Sequence, residues 1–220
     1  MQKQYSLRGG ASIMPQGAHR PRKIPRQARS LATVEVILDA AALLLVDEGY
    51  DQATTNRIAE RAGVSIGSLY QYFPNRESVV AAVAHRLKDG IATPLWRAMS
   101  EKPEPDLRSQ ITGGLRTSIA SHASALPLFR ILLEVTSRPA AVEWSVDAFR
   151  ERQIILRKCL NAHAGELRKD FDVEVSSFFL PRMVGSAIDA AILMRPAALT
   201  NGELERELTT MLSYYLMGGR

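Results

Sequence analysis

The stretch TTNRIAERAGVSIGSLYQYF, residues 54–73, decides the fold of this chain. Its apolar positions are arranged around one glycine, Gly63, in a pattern that needs two short helices joined by a tight turn. They lie five and one residues before the glycine and one and six residues after it: Ile58, Ala62, Val64 and Leu69. This spacing predicts a helix-turn-helix.

The residues at the turn agree with that prediction. Glycine accepts the left-handed backbone conformation that ends many helices, so Gly63 is expected to close the first helix. Ser65 follows two residues later, where its hydroxyl can cap the second helix by accepting a backbone hydrogen bond. The small side chain of Ala59 lets the two helix backbones approach closely.

A polar face remains on the second helix once Val64, Leu69 and Phe73 pack inward. Its hydroxyl and amide groups suit phosphates and base edges of DNA. The threonines and free backbone amides at the start of the first helix suit a phosphate, and an arginine just beyond Pro74 adds a cation. The predicted DNA-contacting residues are Thr54, Thr55, Arg57, Ser65, Gly67, Ser68, Tyr70, Gln71, Tyr72 and Arg76.

The rest of the chain is predicted to be helical as well. Apolar residues recur every three or four positions from Leu31 to Leu45, and Gly49 ends that helix. Further helices are expected at 55–62, 66–73, 76–99, 107–124, 127–137, 140–163, 173–194 and 203–216. Helix 76–99 is expected to be bent or interrupted near Gly90 and Pro94. We predict an all-α fold with a basic flexible arm (1–24), a three-helix helix-turn-helix module (25–75) and a larger helical module (76–220).

Positive charge is concentrated at the N-terminus. The 220 residues carry a net charge of +5, from 28 Lys and Arg against 23 Asp and Glu. Residues 1–30 contain seven basic residues and no acid, so the remainder is slightly acidic. A basic arm on a near-neutral body suggests contact with a polyanion. A solvated leader, or translation that starts at Met14, fits the same composition.

Composition also bears on the cellular compartment. The longest apolar run, residues 40–46, is far shorter than the ~20 residues of a membrane span, and no apolar signal-peptide region follows the basic N-terminus. The single cysteine, Cys159, cannot form an internal disulfide. We therefore expect a cytoplasmic protein without a membrane partner.

Motifs for catalysis or metal binding are not convincing. Residues 63–67 match the hydrolase pattern G-x-S-x-G, but a nucleophile elbow needs a strand before the serine, and here a helix precedes it. The four histidines are scattered without the spacing of a zinc site. We expect no catalytic residue, no metal site and no cofactor, and hence no enzyme.

These residues make the chain resemble the TetR family of bacterial transcriptional regulators. The match includes EGY at 48–50, TT at 54–55, IA at 58–59, AGVS at 62–65, LY at 69–70 and YF at 72–73, and it covers roughly residues 28 to 80. The resemblance implies DNA contacts at Thr55, Gly67, Ser68, Tyr70, Gln71, Tyr72 and Arg76. It also implies a small-molecule pocket in the larger module and two final helices that pair with a second subunit.

Apolar stripes on the last two predicted helices suit such a subunit interface, although packing within one subunit produces the same pattern. On the first helix they comprise Val175, Phe178, Phe179, Met183, Ala187, Ala190 and Ala191. On the second they comprise Leu204, Leu208, Met211, Leu212 and Tyr215.

Two kinds of residue are candidates for the pocket. Large flexible or aromatic side chains can line a cavity, although they equally suit an ordinary hydrophobic core. Charged residues inside apolar runs are the second kind, because a buried charge needs a partner. Glu134 and Asp189 both interrupt apolar runs, and we favour Glu134. The predicted ligand-binding residues are Trp96, Phe129, Glu134, Trp144, Phe178 and Met183.

Together these features predict a ligand-responsive, DNA-binding transcriptional regulator. We expect a homodimeric repressor that binds a palindromic double-stranded operator and is released by a small apolar or aromatic effector. The alternatives are an activator, an effector-independent DNA-binding protein, and an enzyme or small-molecule carrier whose helix-turn-helix is a relic.

Overall fold

The computed structural model describes residues 28–101, 104–136 and 146–218, and within these ranges the chain is helical with no strand. The all-α prediction is therefore confirmed. The predicted arm, residues 1–24, and Trp144 lie outside the described residues. The helices are α1 (Ala28–Glu48), α2 (Thr55–Arg61), α3 (Ile66–Tyr72), α4 (Arg76–Glu101), α5 (Leu107–Ser124), α6 (Leu126–Thr136), α7 (Val146–Ala162), α8 (Val173–Met194) and α9 (Glu203–Met217).

The first core joins α1, α2, α3 and the first half of α4. Gly49, with φ of +81°, ends α1 as expected, which lets the chain turn back towards α2. The core continues beyond the predicted module boundary at residue 75, because Val79 and Val83 of α4 are buried in it. Its largest fully buried side chains are Ile37, Leu45, Ile58, Leu69 and Phe73.

Helix α4 runs from Arg76 to Glu101 without an interruption near Gly90 and Pro94, which leaves a bend there as the remaining prediction. A proline inside a helix removes one backbone donor and crowds the preceding turn. Here α4 contacts α1, α5, α6 and α7, and this packing holds the helix together despite its weak local propensity. Helix α8 likewise contains Pro181 without a break.

The second core is built from α5 to α9, with two short 3₁₀ turns at Ala164–Glu166 and Pro196–Leu199. Leu208 and Leu212 are buried in it, so they are core residues of one subunit rather than surface residues available to a partner. Helix α6 belongs to both cores, because Phe129 packs in the second and Leu132 in the first.

Helix α8 is long and apolar enough, by length and composition, to span a membrane, and it is the sole such helix in the described ranges. Its sequence contains no long unbroken apolar run, because Asp189 and other polar residues interrupt it. One side packs into the second core through Leu180, Ile188 and Ile192. Helices that form the core of soluble proteins share this composition, so α8 is weak support for a membrane span.

Candidate nucleic-acid interface and cavity

The start of α2 is fixed by two threonines. Thr54 is the N-cap, and its hydroxyl accepts a hydrogen bond from the Arg57 backbone N–H at 3.4 Å. The Thr55 hydroxyl shares a hydrogen bond with the hydroxyl of Tyr70 at 3.1 Å. This contact joins α2 to α3 on the exposed side of the motif and sets two hydroxyls next to each other.

The turn between α2 and α3 has the predicted chemistry. Gly63 has φ of +66°, in the left-handed region that favours glycine. The next backbone N–H, of Val64, donates to the carbonyl of Ala59 at 3.0 Å. Ser65 caps α3 by accepting from the Ser68 backbone N–H at 3.0 Å, and the two serine hydroxyls lie 2.8 Å apart. Both hydroxyls are thus already engaged within the protein.

Helix α3 has one buried and one exposed side. Leu69 is fully buried, and Tyr70 is 41% exposed beside the exposed Gln71 and Gly67. Tyr72 differs from the prediction, since it is only 8% exposed and belongs to the first core. Three residues after Leu69, it lies on the same face of the helix, and the core therefore takes its ring.

The two predicted cations of this region are held by contacts within the chain. Arg57 donates to the carboxylate of Glu48 at 2.7 Å. The Arg76 guanidinium lies 4.0 Å from the centroid of the Tyr50 ring, donates to the Tyr50 carbonyl at 3.3 Å and lies 3.6 Å from Glu77. These partly exposed pairs contribute ~0 to 1 kcal/mol each, so a phosphate can compete for the arginines.

A cavity of about 250 Å³ lies in the larger module, among α4, α5, α7, α8 and α9. Most of its wall is aliphatic, including Leu107, Ile111, Leu115, Leu156, Leu160, Leu180, Ile188, Leu212 and Leu216. Its polar and charged lining consists of Lys88, Gln110, Ser118, His122, Arg152, Cys159, Arg182, Ser186 and Asp189. A cavity whose wall is mainly apolar and carries several polar groups is typical of a small-molecule site.

Burial changes the titration of three groups in this wall. It raises the pKa of Asp189, an effect that Lys88, His122 and Arg182 oppose through their charges. It lowers the pKa of His122, although the imidazole Nδ1 lies 2.7 Å from the Ser118 carbonyl, which favours protonation. It also raises the pKa of the Cys159 thiol. The wall therefore disfavours the charged forms of Asp189, His122 and Cys159.

None of the predicted ligand residues with a described side chain lines this cavity. Glu134 is exposed and pairs with Arg130 at 3.1 Å, because it lies on the outer face of α6. Phe178 is 60% exposed, while Phe129 and Met183 pack in the second core. The side chain of Trp96, like Trp144, lies outside the described residues.

Asp189, the other charged residue considered beside Glu134, lies in the cavity wall. The signal that could have separated the two is helix position: Glu134 follows Arg130 by one helical turn, a spacing typical of exposed ion pairs. Among the residues that the structure describes, no group of three or more His, Cys, Asp or Glu side chains could hold a metal ion.

Comparison with known proteins supports the assignment of α2 and α3 as a DNA-binding helix-turn-helix. Residues 37–83 match the family model for bacterial regulatory proteins of the tetR family. An HTH-type transcriptional regulator of Bacillus subtilis (strain 168), YdeS, is 30% identical over 161 residues, covering 67% of this chain and 74% of that protein. The HTH-type transcriptional repressor AcnR of Corynebacterium efficiens is 25% identical over 165 residues, covering 69% of this chain and 78% of the repressor.

The fold is also known from crystal structures. A TetR-family transcriptional regulator from Pectobacterium atrosepticum superposes with a TM-score of 0.70 at 15% identity, covering 89% of this chain and all of that one. Transcriptional regulators of this type are not enzymes, so the prediction that the chain has no enzymatic function is confirmed. The helix-turn-helix geometry, the family model and the regulator from Bacillus subtilis lead to one conclusion: this chain belongs to the TetR family of bacterial transcriptional regulators.

Proposed function

We propose that the protein is a cytoplasmic, homodimeric repressor that binds a palindromic operator and is released from it by a small molecule. The observation that carries the proposal is the two-sided α3, buried through Leu69 and exposed through Tyr70 and Gln71. A helix anchored on one side can enter the major groove with the other side facing the bases.

In this proposal, base edges are read by Gln71 and by the residues beside it on α3. A glutamine amide can bond adenine in two places, which discriminates among base pairs by ~1 to 3 kcal/mol. The paired hydroxyls of Thr55 and Tyr70 would contact a phosphate and fix the orientation of α3. Arg57, Arg76 and the basic arm would add phosphate contacts, at the expense of the arginines' present partners.

The dimer interface we propose lies on the two predicted helices and keeps Val175, Phe178 and Met211 of the predicted residues, but not the others. Because Leu208 and Leu212 are buried within one subunit, the surface available to a partner consists of the exposed apolar side chains of α8 and α9. They are Val175, Phe178, Leu193, Met194, Met211 and Tyr214. Apolar patches of this kind on a soluble protein are typical of subunit interfaces.

Repression is the mode of action that the relative from Corynebacterium efficiens supports, since it is named a transcriptional repressor. The effector would occupy the cavity of the larger module and stabilise a dimer whose two α3 helices no longer match successive major grooves. A difference in affinity of ~5 to 150-fold between the two forms is enough for such control.

The DNA-binding part is tested by selecting operator fragments from the host genome with the full chain and measuring their affinity for variants. Gln71→Ala should weaken the selected operator by ~1 to 3 kcal/mol without loss of helical circular dichroism, because the side chain is exposed. Asn161→Ala, which removes an exposed polar side chain on α7, is the matched control. If Gln71→Ala and the control bind the operator equally tightly, the proposal that α3 contacts base edges through Gln71 is contradicted.

The dimer is tested by sedimentation of a double variant, Phe178→Asp with Tyr214→Asp. These side chains are 60% and 64% exposed, so charges at these sites are compatible with a folded subunit and incompatible with an apolar interface. We expect a helical monomer that no longer binds the selected operator. Val36→Asp, at an exposed apolar site on α1, should remain dimeric, and a dimer formed by the double variant contradicts the interface.

The sign of regulation is tested with a reporter gene placed behind the selected operator. A repressor lowers expression of the reporter, and removal of the regulator raises it. The opposite result identifies an activator, and binding spread over most of the genome identifies an effector-independent DNA-binding protein.

A further inference from the structure

The cavity in the larger module carries an unequal number of positive and negative groups. Its wall contains three basic side chains, Lys88, Arg152 and Arg182, and one carboxyl, Asp189. Lys88 and Arg182 are exposed and Arg152 is half-buried, whereas the leucines of the wall are mostly buried. Positive charge therefore lies on the more exposed side of a cavity whose buried wall is mainly aliphatic.

The charged groups are close enough to act on one another. Burial raises the pKa of Asp189, and the charges of Lys88 and Arg182 oppose that rise. Burial lowers the pKa of His122, and the charges of Lys88 and Arg152 lower it further. Burial is the main cause that lowers the pKa of His122, so the wall disfavours a positive charge on its imidazole. Among the described residues of the wall, three basic side chains stand against one carboxyl.

We propose that the cavity binds an acidic amphiphile, a small molecule with an apolar body and one carboxylate or phosphate group. This inference rests on the proposed effector function and gives the chemical class of that effector. The acidic group would lie between Lys88, Arg152 and Arg182, because guanidinium groups bond carboxylates and phosphates in two places at once. The apolar body would contact the aliphatic wall.

The size of the cavity limits the ligand. A volume of about 250 Å³ is just below the ~300 to 1,000 Å³ of most ligand pockets. The apolar body is accordingly a short chain or a small ring system rather than a long acyl chain. The rival ligand is an organic cation bound to Asp189, and the three basic groups at the opening disfavour it by repulsion.

Calorimetric titration of the full chain without DNA tests the class directly. The probes are octanoate, octyl phosphate, 1-octanol and octylamine, together with the corresponding 2-naphthyl series, so that the head group changes while the apolar body does not. We expect an acid to bind at least tenfold tighter than its alcohol and the amine to bind weaker still. The carboxylate and phosphate arms distinguish the two acidic groups. Alcohol or amine binding as tight as acid binding, or no binding in either series, overturns the inference.

Variants of the opening locate the acidic group. Lys88→Gln and Arg182→Gln should each weaken acid binding by about tenfold, equivalent to about 1.4 kcal/mol, and leave the alcohol nearly unchanged. Arg206→Gln, an exposed arginine of α9 outside the cavity wall, is the control and should change neither. Asp189→Asn should strengthen acid binding, because it removes a like charge, and a loss of acid binding in this variant also overturns the inference.

The same preparations are titrated with the selected operator, so that the two proposals fail separately. Operator binding without acid binding removes the ligand class and leaves the DNA-binding function in place. Acid binding without a specific operator supports the ligand class and contradicts the proposed function.

Discussion

Leu69 is the side chain on which the position of α3 depends most. It is fully buried, and α3 has only seven residues, too few to form a stable helix without tertiary packing. Replacing a buried leucine by alanine costs the lost burial and the cavity that remains, ~2.7 to 5 kcal/mol in well-packed cores. We expect Leu69→Ala to cost about 3 kcal/mol, because a short helix at the edge of a core can partly collapse into the space.

Hydrogen exchange measured by mass spectrometry localises this cost. A loss of about 3 kcal/mol corresponds to a roughly 100-fold fall in protection, which should be confined to peptides from α2, α3 and the adjoining part of the first core. Gln71→Ala, two residues away and exposed, is the control and should change stability by less than ~0.5 kcal/mol.

The reasoning would be refuted by either of two results. Protection of residues 66–73 that is unchanged in Leu69→Ala would mean that other contacts hold α3. A fall in protection that is largest in α8 and α9 would mean that the two cores do not respond separately to a local change.

Three further predictions concern the turn, the cavity and the C-terminal helix. Gly63→Ala should lower stability in denaturant unfolding by ~1 to 2 kcal/mol because φ is +66°, whereas Gly67→Ala should raise it by ~0.5 to 1 kcal/mol, since an added Cβ there meets only the Ser65 hydroxyl at 3.8 Å. Burial lowers the pKa of His122 below the ordinary histidine value of about 6.5, so the unfolded chain binds more protons at this residue than the folded chain. Stability should therefore fall as the pH drops below about 6.5, by less than ~1.4 kcal/mol per pH unit, and His122→Gln should reduce this slope. A wild-type slope in His122→Gln would contradict the assignment. Arg168→Ala should lower the melting temperature by several degrees, because Arg168 donates to the Tyr215 carbonyl at 2.9 Å and lies over two aromatic rings, while Lys169→Ala, an exposed neighbour, should not.

The sequence predicted the helices well because their ends are marked by local chemistry. Gly63 and Ser65 define the turn of the motif, and the bounds of α5 and α8 coincide with the predicted ones. Where the prediction was wrong, tertiary contacts overrode local signals: α4 continues through Gly90 and Pro94 because it packs against four other helices.

The candidate sites were harder to predict than the helices. Tyr72 was predicted to contact DNA because its hydroxyl suits a phosphate or base edge. It lies three residues after Leu69 on the same face of α3, and its ring is therefore in the first core. The cavity residues come from five helices, from Lys88 to Leu216, and no local pattern records which helix faces converge. For Glu134 the sequence does contain a local signal, because its partner Arg130 lies four residues earlier on the same helix. For Asp189 it contains no such signal.

Cys159 gives the cavity wall a kinetic probe that needs no engineered label. It is the sole cysteine among the 220 residues, so a thiol reagent reports on one place in the molecule. The side chain is buried and its pKa is raised, and the reactive thiolate is therefore scarce while the wall is closed. The rate of alkylation then measures how often α7 opens locally away from its neighbours. A molecule that fills the cavity should lower this rate in proportion to its occupancy.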